Sequence, residues 1–191
     1  MEIIFIKKLE NEDLGNLEIY QGISEVLISQ VIKYANTDHA IKVYTRDPSR
    51  FKDKLSFNEW LQKGRSIYIL TNKANDLYGI IWFGNEMMPS EKQFISDVNT
   101  KEYGVTFAIR IYAQARGKHL ARKFMNVAFN VYHSSSEYRQ IEQKGIWLET
   151  SADNYPALNA FKKFGFTRVT VPDDKNKILM IFNDEFEKND R

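Results

Sequence analysis

Apolar and polar positions alternate over residues 103–113, where Val105, Phe107, Ile109 and Ile111 are separated by Thr106, Ala108, Arg110 and Tyr112. A period of two predicts a strand with one face on a core. From Leu120 the period changes, and Leu120, Phe124, Val127, Ala128 and Val131 recur at spacings of three and four. That spacing predicts an amphipathic helix whose single apolar face packs on a sheet.

The same patterning lays out the rest of the chain. Residues 2–9 read as an opening strand, with Ile4 and Ile6 against Ile3 and Phe5. Asn11 and Asp13 are placed to cap a following helical region, at 14–21 and 24–34, either two helices or one bent helix interrupted at Gly22. Residues 37–51 are polar, with a turn at Asp47-Pro48, and 57–63 predict a short helix ended by Gly64. This long insert is a candidate lid or acceptor wall, its plainer alternative being a surface excursion whose aromatics complete the core. Residues 66–71 and 77–84 predict a hairpin, and 85–102 a polar connection. A strand at 145–151, a helix at 154–164 and closing strands at 166–171 and 177–182 follow, with a charged tail at 184–191.

The stretch that joins the alternating run to the helix reads QARGKHLA, from Gln114 to Ala121. A strand, a short turn and a helix start within a basic cluster make an anion site. The first N–H groups of a helix lack intrahelical acceptors, and the helix dipole adds partial positive charge there. Gly117 permits a backbone conformation and a close approach that a side chain would block. Arg116 and Lys118 bring charge beside it.

Composition narrows the class. The chain has 191 residues, 43% of them hydrophobic, with 13 Phe and 10 Tyr, which predicts one well-packed globular domain. Lys and Arg (27) nearly balance Asp and Glu (25), so no nucleic-acid footprint dominates. The absence of Cys excludes disulfides, thiolate metal sites and a cysteine nucleophile. His39, His119 and His133 are scattered and match no ligand spacing, so no metal is implied. Residues 1–8 lack a signal-peptide layout and no apolar run approaches a membrane span, which points to the cytoplasm.

A second stretch, NYPALNAFKKFGF at residues 154–166, follows the strand with Ile146, Leu148 and Thr150 on one face. Together the two stretches resemble the GNAT superfamily of N-acetyltransferases. Gln114, Gly117 and His119 fall on its Gln/Arg-x-x-Gly-x-Gly/Ala loop. Asn154, Ala157, Phe161, Gly165 and Phe166 fall on its Asn-x-x-Ala-x-x-x-Tyr/Phe-x-x-x-Gly-Phe pattern. The resemblance covers residues 103–182 by motif and the first hundred residues by topology alone.

The resemblance implies an α/β (α+β) fold with a mixed, mostly antiparallel central sheet of about seven strands flanked by helices. It implies one GNAT-like domain over 1–191. Residues 1–102 would form the half with the acceptor-side helices and insert, 103–183 the acyl-CoA-binding core, and 184–191 the tail. It implies acetyl-CoA as co-substrate. The backbone N–H groups of Arg116, Gly117, Lys118, Leu120 and Ala121 would take its pyrophosphate, and Ile109 and Ile111 would pair with its amide-bearing arm. Asn154 would face that arm and Phe161 would lie near the thioester sulfur. The cluster Arg116, Lys118, Arg122 and Lys123 is assigned to the cofactor phosphates rather than to nucleic acid.

Two positions depart from the family pattern. His119 replaces Gly or Ala, and points either outward or at phosphate. Phe161 replaces a Tyr that many members use to protonate the leaving thiolate, so Tyr155 and Tyr112 become candidate acids. The Ile111 N–H is the candidate oxyanion donor by resemblance, and Glu149, then Glu102 and Asp153, are candidate bases, beside ordered water. The implied function is transfer of an acetyl group to a primary amine of an undetermined acceptor. The alternative is a non-catalytic acyl-CoA-binding or sensing protein on the same fold. Neither membrane nor nucleic acid is implied as a partner, and a homodimer is compatible with the resemblance.

Overall fold

The computed structural model describes residues 2–182, so the tail expected at 184–191 lies outside the described residues. The chain divides into two compact units, Met1–Gly84 with Ile109–Ser135, and Asn85–Ala108 with Ser136–Arg191. Among the described residues the strands number eight and follow the hydrogen-bonded order β1-β2-β3-β4-β5-β6-β8-β7. Strand β5 (Val105–Ile111) is divided, its first four residues in the second unit and its last three in the first.

In the first unit β1 (Ile4–Asn11), β2 (Gly15–Gln21), β3 (Arg65–Asn72) and β4 (Leu77–Asn85) form consecutive antiparallel pairs. Of residues 14–21, expected to be helical, Leu14 lies in a turn and Gly15–Gln21 is strand. Leu17 and Ile19 are buried at a spacing of two while their neighbours are not. Asn11, expected to cap a helix, closes the β1–β2 turn instead, its Oδ1 accepting from the Asp13 and Leu14 N–H groups at 3.1 Å each. Long-range pairing with β3 outweighs the helical propensity of Leu and Glu in this segment.

Helices cover one face of these strands. They are α1 (Glu25–Thr37), α2 (His39–Tyr44), α3 (Asp47–Arg50) and α4 (Lys54–Leu61). The Asp47-Pro48 turn is thus the first turn of α3, where proline's missing N–H costs no hydrogen bond. Phe51 and Trp60 pack on Trp82 of β4, with ring centroids 6.0 Å and 5.2 Å from it, and Phe57 packs on Phe51 and Trp60 in turn. The insert's aromatics do complete a core.

On the opposite face Phe83 stacks on Tyr132 at 4.0 Å and meets Phe129 edge-on at 5.1 Å. Both partners belong to α5 (Leu120–His133). Its buried stripe is Leu120, Phe124, Met125, Ala128, Phe129 and Tyr132. Val127 and Val131 lie at the margin of that stripe, because the larger aromatic side chains take the centre of the interface.

The second unit holds α6 (Ser136–Gln140), β6 (Ile146–Ser151), α7 (Tyr155–Phe164), β7 (Phe166–Arg168) and β8 (Lys177–Phe182). Strand β8 is antiparallel to both β6 and β7, and β6 is parallel to the first half of β5 over Val105↔Ile146 and Thr106↔Trp147. The connection expected at 85–102 lies over one face of β6 and β8. Met88 and Phe94 join Trp147, Val169, Leu179 and Ile181 in an apolar cluster, and the Trp147 Nε1–H donates to the Glu86 carbonyl at 2.8 Å. The other face carries Phe107, Phe161 and Phe166. Among the described residues no helix is long and apolar enough to cross a membrane.

Candidate functional site

Within the first unit, the end of β5, a short 3-10 turn (Ala113–Ala115) and the start of α5 enclose the stretch singled out by its composition. Helices α1, α4 and α7 are each capped by a side chain, from Ser24, Asp53 and Asn154. Helix α5 is not. Its N-cap is His119, with φ 55° in the left-handed region and no side-chain cap hydrogen bond. Gly117 is also left-handed, at φ +75°, and a Cβ built there would meet nothing within 4 Å. Gly117 and His119 are thus both left-handed with one residue between them, and no side chain caps the N–H groups at the start of α5.

The turn is held from below by Asp38. Its carboxylate is 3% exposed and Oδ2 accepts from Arg116 Nη2 at 2.6 Å and from the Ala113 N–H at 3.2 Å. Oδ1 accepts from the Ala40 and Ile41 N–H groups and so caps α2. One carboxylate therefore joins this turn to the start of α2. Arg116, read from sequence as charge beside the phosphates, is spent on this pair, and its own N–H donates to the Ala113 carbonyl. Lys118 pairs with Asp13 at 3.2 Å, while its carbonyl accepts from Asn11 Nδ2. Gln114 Nε2 donates to the Leu77 carbonyl and to Tyr34 Oη, which fixes the turn on β4 and α1.

Strand β5 enters this turn in close contact with β4. A Cβ on Gly79 would lie 2.9 Å from the Arg110 carbonyl oxygen, and the Tyr112 N–H donates to the Tyr78 carbonyl at 3.0 Å. Ile111 points toward Gly79 and Phe124, on the α5 face. Arg110 points to the other face, where Nε and Nη2 donate to the two oxygens of Asp47 at 2.6 and 3.0 Å. Tyr112 is buried, and burial pushes its phenol well above the ordinary tyrosine range.

The remaining expected residues lie in the second unit. Asn154 caps α7, its Oδ1 accepting from the Ala157 N–H at 3.4 Å. Phe161 is buried with its ring 6.3 Å from Phe107 and 5.7 Å from Phe166. Tyr155 is 67% exposed at the first position of α7. Glu149 stands opposite Leu179 on β6, with Trp147 two residues before it. Asp153 accepts from Asn176 Nδ2 at 2.6 Å.

Similar backbones are found among solved structures. The GNAT domain of a protein named PAT from S. lividans matches with a TM-score of 0.65 at 13% identity, over 92% of this chain and 95% of that one. The aminoglycoside acetyltransferase AAC(6')-Ib, solved with coenzyme A and kanamycin, gives 0.64 at 15%, over 91% and 99%. A spermidine N-acetyltransferase from Vibrio cholerae, solved with CoA and spermine, gives 0.58 at 15%, over 85% and 92%. This is the GNAT fold.

No protein-family model matches the chain, and no curated protein matches it by sequence. At this level of identity the GNAT fold is set by the pattern of strands and helices and by few individual side chains. Asp38, Asp47 and Arg110 are not among the residues expected from sequence. Asp38 carries one usable signal, since an Asp before His-Ala-Ile-Lys-Val-Tyr reads as a helix N-cap. Arg110 carries another, as the one charge in the alternating run 103–113.

Proposed function

We propose that this chain is an N-acetyltransferase that moves the acetyl group of acetyl-CoA to a primary amine. The observation that carries the reading is the start of α5 on a GNAT fold. It lacks a side-chain cap, it is preceded by two left-handed residues, and the space over Gly117 is open. Backbone donors of that kind suit a pyrophosphate. Gly117, Lys118, His119, Leu120 and Ala121 would hold it, with Gln114 and Arg116 acting through the shape of the turn. Ile109, Ile111, Asn154 and Phe161 keep the roles expected from the motifs. Structural neighbours solved with acetyl-CoA or coenzyme A, and with amine-bearing acceptors, support the same choice.

Acetyl-CoA supplies an activated thioester: a C–N bond forms as the C–S bond breaks, the amine loses a proton and the thiolate gains one. The protein's share is alignment, an oxyanion donor and a route for the proton. The Ile111 N–H is the proposed oxyanion donor, Glu149 the proposed base and Tyr155, whose side chain is exposed, the proposed acid. We further propose a cytoplasmic setting.

A second reading, binding of acyl-CoA without turnover, is favoured by Phe161, whose buried ring has no proton to give. Both are tested by thermal unfolding with and without acetyl-CoA, followed by thiol release over a broad amine panel. Ligand at about a hundred times its dissociation constant adds roughly 2.7 kcal/mol and raises the midpoint. A rise with turnover supports the transferase. A rise without turnover for any amine supports the binding protein, and no rise at millimolar acetyl-CoA rejects both.

A further inference from the structure

The helix-covered face of the first unit holds a second charged group, apart from the anion loop. Asp47, at the start of α3, is 3% exposed in its side chain and sits between two arginines. Arg110 is fully engaged there, since Nε and Nη2 grip the carboxylate and Nη1 donates to the Ile109 carbonyl at 2.9 Å. Arg50 behaves differently. Its hydrogen bond among the described residues runs from Nη1 to Asp47 Oδ1 at 3.1 Å, and its side chain keeps 32% of its surface exposed.

Both guanidiniums also lie near the ring of Trp82, with Cζ at 4.7 Å from the centroid for Arg110 and 5.6 Å for Arg50. The indole and Asp47 fix the planes of both groups, so neither must be ordered when a ligand arrives. Two cations share one carboxylate, which leaves one unit of positive charge within the triad. Burial lowers the basicity of Arg50, Asp47 opposes that, and Arg110, Arg65 and Arg46 lower it further. A half-buried guanidinium with its outer edge open, in a field of other guanidiniums, is a receptor for an oxyanion.

We infer that Arg50, held by Asp47 and Trp82 beside Arg110, binds an oxyanion carried by the acceptor. The amine acetylated by this chain is then one bearing a carboxylate or a phosphate, and polycations are disfavoured. This inference rests on the acetyltransferase reading. Arg110 supplies the link to the reacting centre, because it lies between Ile109 and Ile111, the residues assigned there to the thioester arm.

Matched amines test it. Thermal midpoints are measured in saturating coenzyme A with 4-aminobutanoate against 1,4-diaminobutane, and with O-phosphoethanolamine against ethanolamine. Thiol release from acetyl-CoA is then followed for the same compounds. The anionic member of at least one pair is expected to raise the midpoint and to be the better acceptor by tenfold or more, and the pair that responds distinguishes carboxylate from phosphate. Arg50→Gln is expected to raise KM for that acceptor about tenfold while KM for acetyl-CoA stays within twofold, with partial recovery in Arg50→Lys. Equal or better response to the diamine and ethanolamine, no response to either anionic amine, or an unchanged acceptor KM in Arg50→Gln overturns the inference and leaves the transferase reading standing. Absence of any shift with coenzyme A itself removes both.

Discussion

Asp38 and Arg116 meet at 2.6 Å, and this contact ties the residue between α1 and α2 to the turn that opens α5. The two are separated by 78 positions in sequence. The Asp38 carboxylate accepts four hydrogen bonds in all, two from the start of α2, one from the Ala113 N–H and one from the guanidinium. Asp38→Ala therefore removes a helix cap and strands a half-buried cation at once. A loss of about 3 kcal/mol is expected, since breaking a buried pair costs more than a cap alone. For a chain of this size that is a fall of roughly 6–12 °C in Tm. Asp38→Asn keeps the cap and loses the charge, and should fall between. Differential scanning calorimetry of the three proteins checks the order, and equal Tm values would show that Asp38 does not hold the turn.

Gly117 and His119 make opposite predictions although both are left-handed. Gly117 at φ +75° has open space where a Cβ would go, so Gly117→Ala suffers backbone strain only, about 1 kcal/mol. His119 already bears that strain at φ 55°, so His119→Gly should be neutral or stabilising by up to about 1 kcal/mol. The ligand separates them further. Gly117→Trp should abolish the stabilisation by acetyl-CoA, whereas His119→Gly should keep it. Urea denaturation with and without acetyl-CoA reads all of these.

How much of this was legible in the sequence depends on the range over which each residue acts. Strand β5, helix α5 and helix α7 follow from local periodicity, and the turn around Gly117 follows from its composition. Residues 14–21 read as helical because Leu14 and Leu17 fit a helical spacing of three within so short a run, and only the pairing of Leu17 to Gln21 with Asn72 to Tyr68 of β3 decides the matter. The roles of Asp38, Asp47 and Arg110 are set by partners at separations of 63 and more, which no local pattern encodes. Arg116 shows the same limit from the other side. Its charge was visible, but the carboxylate that absorbs it was not.

The pair Lys92–Asp173, 2.6 Å apart in the second unit, gives the chain a defined acid response. The Lys92 ammonium, followed by the Lys177 N–H, holds the Asp173 carboxyl down to about 2. The same hydrogen bond raises Lys92 above the ordinary lysine range. Because the folded Asp173 binds its proton more weakly than the unfolded one, its stabilisation is complete above pH ~4 and is lost as pH falls toward about 2. Both side chains remain about a quarter exposed, at 21% and 24%, so solvent screening limits the effect to about 1 kcal/mol. Asp173→Asn should lose that much at pH 7 and nothing further between pH 4 and pH 2 from this site. Unfolding free energies of the two proteins that converge on acidification verify it, and parallel curves would refute it.

Phe161 provides the last prediction, and it separates packing from chemistry. The ring is buried against Phe107 and Phe166, so Phe161→Ala leaves a cavity in the second unit and should cost about 3–5 kcal/mol. Phe161→Tyr keeps the volume and adds a hydroxyl. If the thiolate is protonated by another group, as Tyr155 is proposed to do, the added hydroxyl brings only a desolvation cost of about 1–3 kcal/mol unless it finds a partner. Activity should then be unchanged in Phe161→Tyr and reduced in Tyr155→Phe. If instead protonation limits turnover for want of an acid at 161, Phe161→Tyr should raise kcat, and Tyr155→Phe should have no effect. Measuring kcat for both variants over a range of pH decides between a proton delivered from the exposed start of α7 and one that this chain must draw from water.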